Sequence, residues 1–330
     1  MLRSVSILRK RWPLKAPFRI SRGVKTTADT VIVELRRGGA VGRGESVPYA
    51  RYGECVDGVM AQLETVGSGF EAGDPDAGLL AMLPAGAARN ALDCALWDLR
   101  SRETGETVAQ LTGLARPARL ACAMTVGLDE PEAMAAAARS IAFAPLIKVK
   151  LDNTDVEARL LAIGQAAPNS RLIIDPNESW SFDTLKAVSP LLARLNIALI
   201  EQPLPAGDDH ELEGFVAPAP ICADESVHTA DGLNDLKARY QAVNIKLDKT
   251  GGLTAAIHLL DEARRQRFTV MTGCMVGSSL AIAPALHIAG ASDFADLDGP
   301  WWLAGDWPCG LKFAEGWLTS PATGFWGEPG

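Results

Sequence analysis

The feature that most restricts how this 330-residue chain folds is a recurrence in its last two thirds. Eight short apolar runs, rich in Val and Ile, succeed one another every 22 to 26 residues, at 120–125, 146–150, 172–174, 197–200, 221–223, 243–245, 269–272 and 294–297. Helical patterns fill the intervals. Strand-length runs without polar alternation belong to sheets buried on both faces, so helices must cover them. Eight such strand–helix units close into a barrel. No sequence repeat accompanies the period, which is one of architecture alone.

The rest of the chain reads differently. Residues 4–8, 30–35 and 41–46 carry strand patterns, and Gly38-Gly39 makes a hairpin turn between the last two. Gly42-x-Gly44 resembles a nucleotide-binding turn but lies inside a strand and opens no helix, so that reading is rejected. Residues 87–102 place Ala91, Leu92, Ala95, Leu96 and Leu99 at helical spacing before a Gly105 stop, with Cys94 and Trp97 as packing residues. A Trp-, Gly- and Pro-rich tail closes the chain. The expected organisation is an α/β protein: an α+β capping domain over residues 1–116, a barrel over 117–300, and a tail at 301–330 that packs back on the cap.

Composition narrows the function classes. Apolar residues at 48% and charged ones at 22% suit a folded soluble domain. No run approaches the roughly 20 apolar residues that span a bilayer, so no membrane role is expected. A net charge of −8 is poor electrostatics for nucleic acid. The six cysteines are scattered, without metal-ligand spacing, and read as reduced core thiols of a cytoplasmic protein. The first 28 residues are basic and free of acids. Lys and Arg break every apolar stretch there, which excludes a secretory signal. The strand patterns weigh against a transit peptide and leave a basic loop able to meet an anion.

The residues at the end of each apolar run carry the chemistry. In a barrel the C-terminal strand ends converge on one mouth. They bear Lys148 and Lys150, Asp175, Glu201, Asp224, Lys246, Cys274 and Met275, and Asp296 and Asp298. Any one of the first three carboxylates serves equally as a helix cap. Three at consecutive strand ends, with no Cys or His among them, suit Mg²⁺ or Mn²⁺. Lys148 and Lys150, two apart, face the same way. Lys246 stands on strand six, across from strand two. A lysine becomes a base near neutral pH when burial and neighbouring cations lower its pKa. Two lysines on opposite sides of a carbon acid are what inversion needs.

These residues resemble the enolase superfamily, muconate-lactonizing subgroup. The resemblance lies in Lys148-Val149-Lys150, Ile174-Asp175-Pro176-Asn177, Glu201-Gln202-Pro203, Ala223-Asp224-Glu225-Ser226 and Asn244-Ile245-Lys246. Asp296-Leu297-Asp298-Gly299-Pro300 is similar to the dipeptide epimerases. Ile20-Ser21-Arg22-Gly23, residues 87–93 and residues 246–253 are closer still to bacterial L-Ala-D/L-Glu epimerases.

The resemblance implies a (β/α)₇β modified TIM barrel under the cap and Mg²⁺ (or Mn²⁺) on Asp175, Glu201 and Asp224, with no organic cofactor. Asn177 and Glu225 would support those ligands. It makes Lys150 and Lys246 the two bases, facing the (R) and (S) epimers respectively, and gives Lys148 the substrate carboxylate. Asp296 and Asp298 would accept a dipeptide's ammonium. Arg22 is favoured over Lys25 for the glutamyl side chain, with Thr125, Cys274 and Met275 as pocket wall. One departure is Gly277, where many relatives carry Glu, which is expected to widen the pocket.

The expected partner is a dipeptide, with self-association into a homo-oligomer as the one macromolecular contact left open. The expected role is reuse of cell-wall peptides. Alternatives are an epimerase of other specificity, a cycloisomerase or o-succinylbenzoate synthase, a Schiff-base aldolase using Lys150, and a non-enzymatic binding protein. The Asp296/Asp298 pair disfavours the second, whose substrates lack an ammonium. A full set of ligands and bases disfavours the last.

Overall fold

The computed structural model describes residues 3–329. Its first layer is an antiparallel sheet of β1 (Arg3–Ile20), β2 (Gly23–Arg37) and β3 (Ala40–Ser46), in that order. The first two strands run far beyond the expected patterns and pair out to Ile20 and Gly23, so the basic loop is the tip of a long hairpin. Gly38 and Gly39, at φ 58° and 92°, form the expected turn between β2 and β3.

Helices α1 (Val56–Ala72), α2 (Asp76–Ala81) and α3 (Ala87–Thr104) cover one face of this sheet. The sequence pattern located only α3. Gly42 and Gly44 have their explanation here: a Cβ on either would lie 2.2 Å from a carbonyl oxygen of α3, at Ala95 and Ala91 respectively. Strand and helix backbones touch, and only glycine allows it.

The barrel runs from β5 (Met124–Val126) through β6 (Leu146–Lys150), β7 (Arg171–Asp175), β8 (Ile197–Glu201), β9 (Ile221–Ala223), β10 (Ala242–Ile245) and β11 (Thr269–Gly273) to β12 (Phe294–Asp296). Neighbouring strands are parallel, and Ala123 N–H donates to the Ala295 carbonyl at 2.8 Å between the two ends of the sheet. This is the expected (β/α)₇β barrel with its cap. The connection between β8 and β9 carries a 3₁₀ turn, His210–Leu212, in place of a full helix. The first apolar run is a correction. It splits at Cys122, and β4 (Arg119–Ala121) leaves the barrel to pair with β14 (Trp317–Thr319), itself paired with β13 (Lys312–Ala314). Among the described residues no helix is long and apolar enough to cross a membrane.

Residues two apart along a strand share a face, and the inward face of the barrel changes character with height. Ala123, Leu146, Ile173, Leu199, Cys222, Ala242 and Met271 pack together as an apolar plug. Two or four residues further along the same faces stand Thr125, Lys148, Lys150, Asp175, Glu201, Asp224, Asn244, Lys246 and Asp296. Polar side chains thus occupy one end of the interior only.

The cap and tail grip the barrel through buried polar contacts. The Asp248 carboxylate accepts from Val47 N–H at 2.9 Å and Asn90 Nδ2 at 2.8 Å. Asp93 accepts from Thr254 N–H and Oγ1 at 2.9 and 2.6 Å. The tail reaches the cap where Trp326 Nε1 donates to the Arg43 carbonyl at 2.8 Å. All six cysteines are free, but Cys55 and Cys309 are exposed, so these two are surface thiols.

Candidate active site

A cavity of about 470 Å³ opens where the polar end of the barrel meets the hairpin tip and the 49–52 segment of the cap. Thirteen of the residues singled out from sequence line it: Lys148, Lys150, Asp224 and Lys246 on the floor, Thr125, Cys274, Met275, Asp296 and Asp298 along one wall, and Asn177, Glu225, Arg22 and Lys25 along the other. Asp175 and Glu201 lie behind the lysines, fully buried. Gly277 does not open the pocket as expected: a Cβ there would meet Val47 and Ala281 at 3.0 and 3.2 Å, so it closes a packing contact with the cap.

The floor is a lattice of ammonium and carboxylate groups. Lys148 Nζ bridges Asp175 (3.0 Å), Glu201 (2.7 Å) and Asp296 (2.7 Å). Lys150 Nζ lies 2.5 Å from Asp175, and Lys246 Nζ 2.7 Å from Asp224. Lys150 sits on the second barrel strand and Lys246 directly after the sixth, on opposite sides of the ring. Gly273 makes this possible, since a Cβ there would fall 2.6 Å from Asn244 Oδ1 and 3.0 Å from Lys246 Cε.

Lys249, not singled out from sequence, is buried and donates to the Asp224 carbonyl, its Oδ1 and the Asn244 carbonyl at 2.5, 2.6 and 2.9 Å. Asn244 Nδ2 holds Glu201 Oε1 at 2.9 Å, and Gln202 Oε1 accepts from Asp224 N–H at 2.9 Å. Asn244 was legible in principle: it stands two residues before Lys246, on the same inward face.

Electrostatics follow from this crowding. Burial alone would raise the Asp224 carboxyl, but the charges of Lys246 and Lys249 outweigh it and hold it well below the carboxylate range. Burial also opposes ionisation of Asp175, which Lys150 and Lys148 overcome. Glu201 goes the other way, pushed up to about 7 by burial and by Asp175. The expected lowering of the catalytic lysine does not hold for this charge state: burial works against the Lys246 ammonium, yet Asp224 and Glu201 keep it firmly protonated. Burial raises the Cys274 thiol well above its ordinary range, which leaves it a packing group and no nucleophile.

Among the described residues no three Asp, Glu, His or Cys side chains stand close enough to hold one ion as they are, because Lys148 lies between Asp175 and Glu201. The donor set nevertheless fits a hard divalent cation. It is all oxygen, it comes from three adjacent strand ends, and Glu201 Oε2 receives no directed hydrogen bond despite its burial.

Other buried oxygens without a hydrogen-bond partner gather here too: Asp296 Oδ1, Glu225 Oε2, Asn177 Oδ1 and Tyr52 Oη. Such atoms are costly unless a ligand completes them. Asp298 accepts from Thr125 N–H at 2.8 Å and Trp302 Nε1 at 3.3 Å. Burial, reinforced by Asp296, raises it to about 6.

Arg22 reaches the mouth but is engaged there by Glu225 (2.8 Å), Glu178 (3.1 Å), the Tyr49 hydroxyl (3.1 Å) and the Asn177 carbonyl (3.0 Å). Lys25 makes no ion pair among the described residues, and its Nζ lies 4.9 Å above the Tyr49 ring. Tyr49, Arg51 and Tyr52 carry no motif, and only the folded cap brings them to the cavity. The whole offers a lysine-rich floor bordered by the Asp296/Asp298 pair, with Lys150 and Lys246 opposed across it and Arg22 and Lys25 at the mouth. It suits a small zwitterion.

Comparison with known proteins agrees with this geometry. Residues 2–113 match the mandelate racemase/muconate lactonizing enzyme N-terminal domain, and residues 131–315 the enolase C-terminal domain-like family. The L-Ala-D/L-Glu epimerase of Escherichia coli (strain K12) is 50% identical over 319 residues, covering 96% of this chain and 99% of that protein. An N-acetyl-D-glutamate racemase from a Pseudoalteromonas species is 46% identical, covering 87% and 91%. The crystal structure of an enolase family member from Agrobacterium tumefaciens, with homology to dipeptide epimerases and with sodium and L-Ala-L-Glu bound, superposes with a TM-score of 0.95. It is 46% identical, with 98% of this chain and 100% of that one covered.

Proposed function

Given that the chain belongs to the mandelate racemase/muconate lactonizing enzyme family, within the enolase superfamily, we propose that it is a cytoplasmic isomerase. Its reaction is the interconversion of L-Ala-L-Glu and L-Ala-D-Glu by proton transfer at the glutamyl α-carbon, in the reuse of cell-wall peptides. The observation that carries this reading is Asp296 Oδ1, buried without a hydrogen-bond partner beside Asp298 on the cavity wall, while Asp296 Oδ2 accepts from Lys148 Nζ at 2.7 Å. A dipeptide's ammonium would complete that pair and relieve its repulsion.

Asp175, Glu201 and Asp224 are the residues that would hold Mg²⁺, or Mn²⁺ in its place. A bound divalent cation there supplies positive charge to the substrate carboxylate as the adjacent carbon loses its proton. Lys148 steadies that carboxylate. Lys150 and Lys246 then act from opposite faces: the one that is a neutral amine takes the α-proton and becomes an ammonium, the planar enolate forms, and the other, an ammonium, returns a proton from its own side and is left neutral. A lysine base paired with a metal is the pattern known for enolase-superfamily sites. Asn244 and Lys249 keep Glu201 and Asp224 in place.

The 46% identical racemase points to a second reading, N-acetylglutamate as substrate. Its acylated nitrogen carries no charge, so it would leave Asp296 Oδ1 unpartnered and Asp298 without a cation of its own. The cycloisomerase and synthase alternatives meet the same objection. Incubation of L-Ala-L-Glu with enzyme and Mg²⁺ in D₂O should replace the glutamyl α-proton by deuterium and build up the D-epimer. Retention of that proton over many hours would refute the assignment.

A further inference from the structure

Among the oxygens left without partners, Tyr52 Oη is a hydroxyl, able to donate, that the mechanism does not use. Tyr52 ends the Ala50–Tyr52 turn that leads out of β3, and its side chain lines the cavity. The ring is fixed edge-on between Tyr49 and His228, with centroids at 5.3 and 4.5 Å. The hydroxyl is thus held rigidly, buried, and with no group of the protein to bond. A phenol in that position is expensive unless a ligand meets it.

The neighbourhood indicates which ligand atom that is. Tyr52 packs on Tyr49, the ring that Arg22 and Lys25 also face, and the charges that act most on its hydroxyl are Asp224, Lys246 and Glu225, with neither Asp296 nor Asp298 among them. We propose that Tyr52 is a specificity-determining residue whose hydroxyl donates a hydrogen bond to the side-chain carboxylate of the substrate's second residue. This deepens the epimerase reading and rests on it. Arg22 already satisfies two protein carboxylates, so an acidic side chain entering here needs further donors. Lys25 supplies an exposed charge, and Tyr52 a fixed, neutral donor with one preferred direction. Burial, together with the charge of Asp224, pushes the phenol above its ordinary range, so it stays protonated and able to donate.

The test is Tyr52→Phe, which keeps the ring and its packing on Tyr49 and His228 and removes only the oxygen. The variant should melt at the wild-type temperature. Its KM for L-Ala-L-Glu should rise roughly tenfold, what a lost hydrogen bond to a charged group costs, with kcat within about threefold of wild type. An unchanged KM would overturn the proposal. A fallen kcat at unchanged KM would overturn it as well, since that places the hydroxyl at the reacting carbon. Wild-type enzyme that fails to epimerise the dipeptide would refute the epimerase reading itself, and this inference with it.

Discussion

Replacing Asp298 by Asn probes the ammonium site with little disturbance of shape. Its Oδ2 accepts from Thr125 N–H and Trp302 Nε1, and an asparagine oxygen accepts from both equally well. What disappears is one negative charge. Removing one partner of a buried charge pair costs about 2–5 kcal/mol. Asp296 remains to share the ammonium, so the lower end applies, about 2 kcal/mol or roughly 30-fold in kcat/KM for L-Ala-L-Glu. N-acetyl-L-glutamate, tested as substrate or as competitive inhibitor, has no ammonium and should change less than about twofold.

The pH profile supplies an independent check. Burial and Asp296 hold Asp298 at about 6, above the usual aspartate value. The carboxyl is therefore charged above that pH and neutral below it. Dipeptide kcat/KM should fall as pH drops through about 6, and the Asn variant should lack that part of the fall. Both quantities come from proton–deuterium exchange monitored by NMR. Equal loss for the two compounds, or no loss for the dipeptide, would refute the ammonium assignment.

Other expectations concern the bases, the metal and the fold. Lys246→Ala should abolish epimerisation, a loss of at least about 10²-fold, yet leave Lys150 to exchange the α-proton of one epimer; undiminished turnover would refute the two-base mechanism. Asp224→Asn should weaken Mg²⁺ binding, measured by titration calorimetry, and lower the rate with it; unchanged affinity would remove Asp224 from the ligand set. Gly44→Ala would put a methyl group 2.2 Å from the Ala91 carbonyl and 2.7 Å from Ala95 N, forcing β3 off α3. A loss of about 3 kcal/mol, seen as a fall of several degrees in Tm, is expected; an unchanged Tm would show that the two backbones have room to part.

The barrel was legible because its strands are buried on both faces, a pattern shared with open doubly-wound sheets, and because eight such units follow one another at a regular spacing. The polar floor was legible for a related reason. One charged residue at the end of an apolar run can be a helix cap, but several at consecutive run ends would repel one another without a ligand, so Lys148, Lys150, Asp175 and Asp224 stood out.

The errors and omissions have equally physical causes. Residues 120–125 read as one strand because hydropathy cannot show that β4 turns to pair with the tail. The long reach of β1 and β2 was hidden by their polar, exposed outer halves. Arg22 was chosen for its bidentate geometry, and no local pattern told of Glu225 and Glu178, distant in sequence and waiting to engage it. Lys249 sits one helical turn after Lys246, where a lysine ordinarily faces solvent. Tyr52 depends wholly on how the cap settles on the barrel.

The apolar plug in the lower half of the barrel has a consequence for traffic. With that end filled among the described residues, the cavity opens to solvent at a doorway beneath the hairpin tip, where substrate enters and product leaves. A departing epimer must clear it before the next molecule enters. The ion pairs that fasten Arg22 to Glu178 and Glu225 stand at the rim of that doorway, so whatever enters the cavity passes beside them.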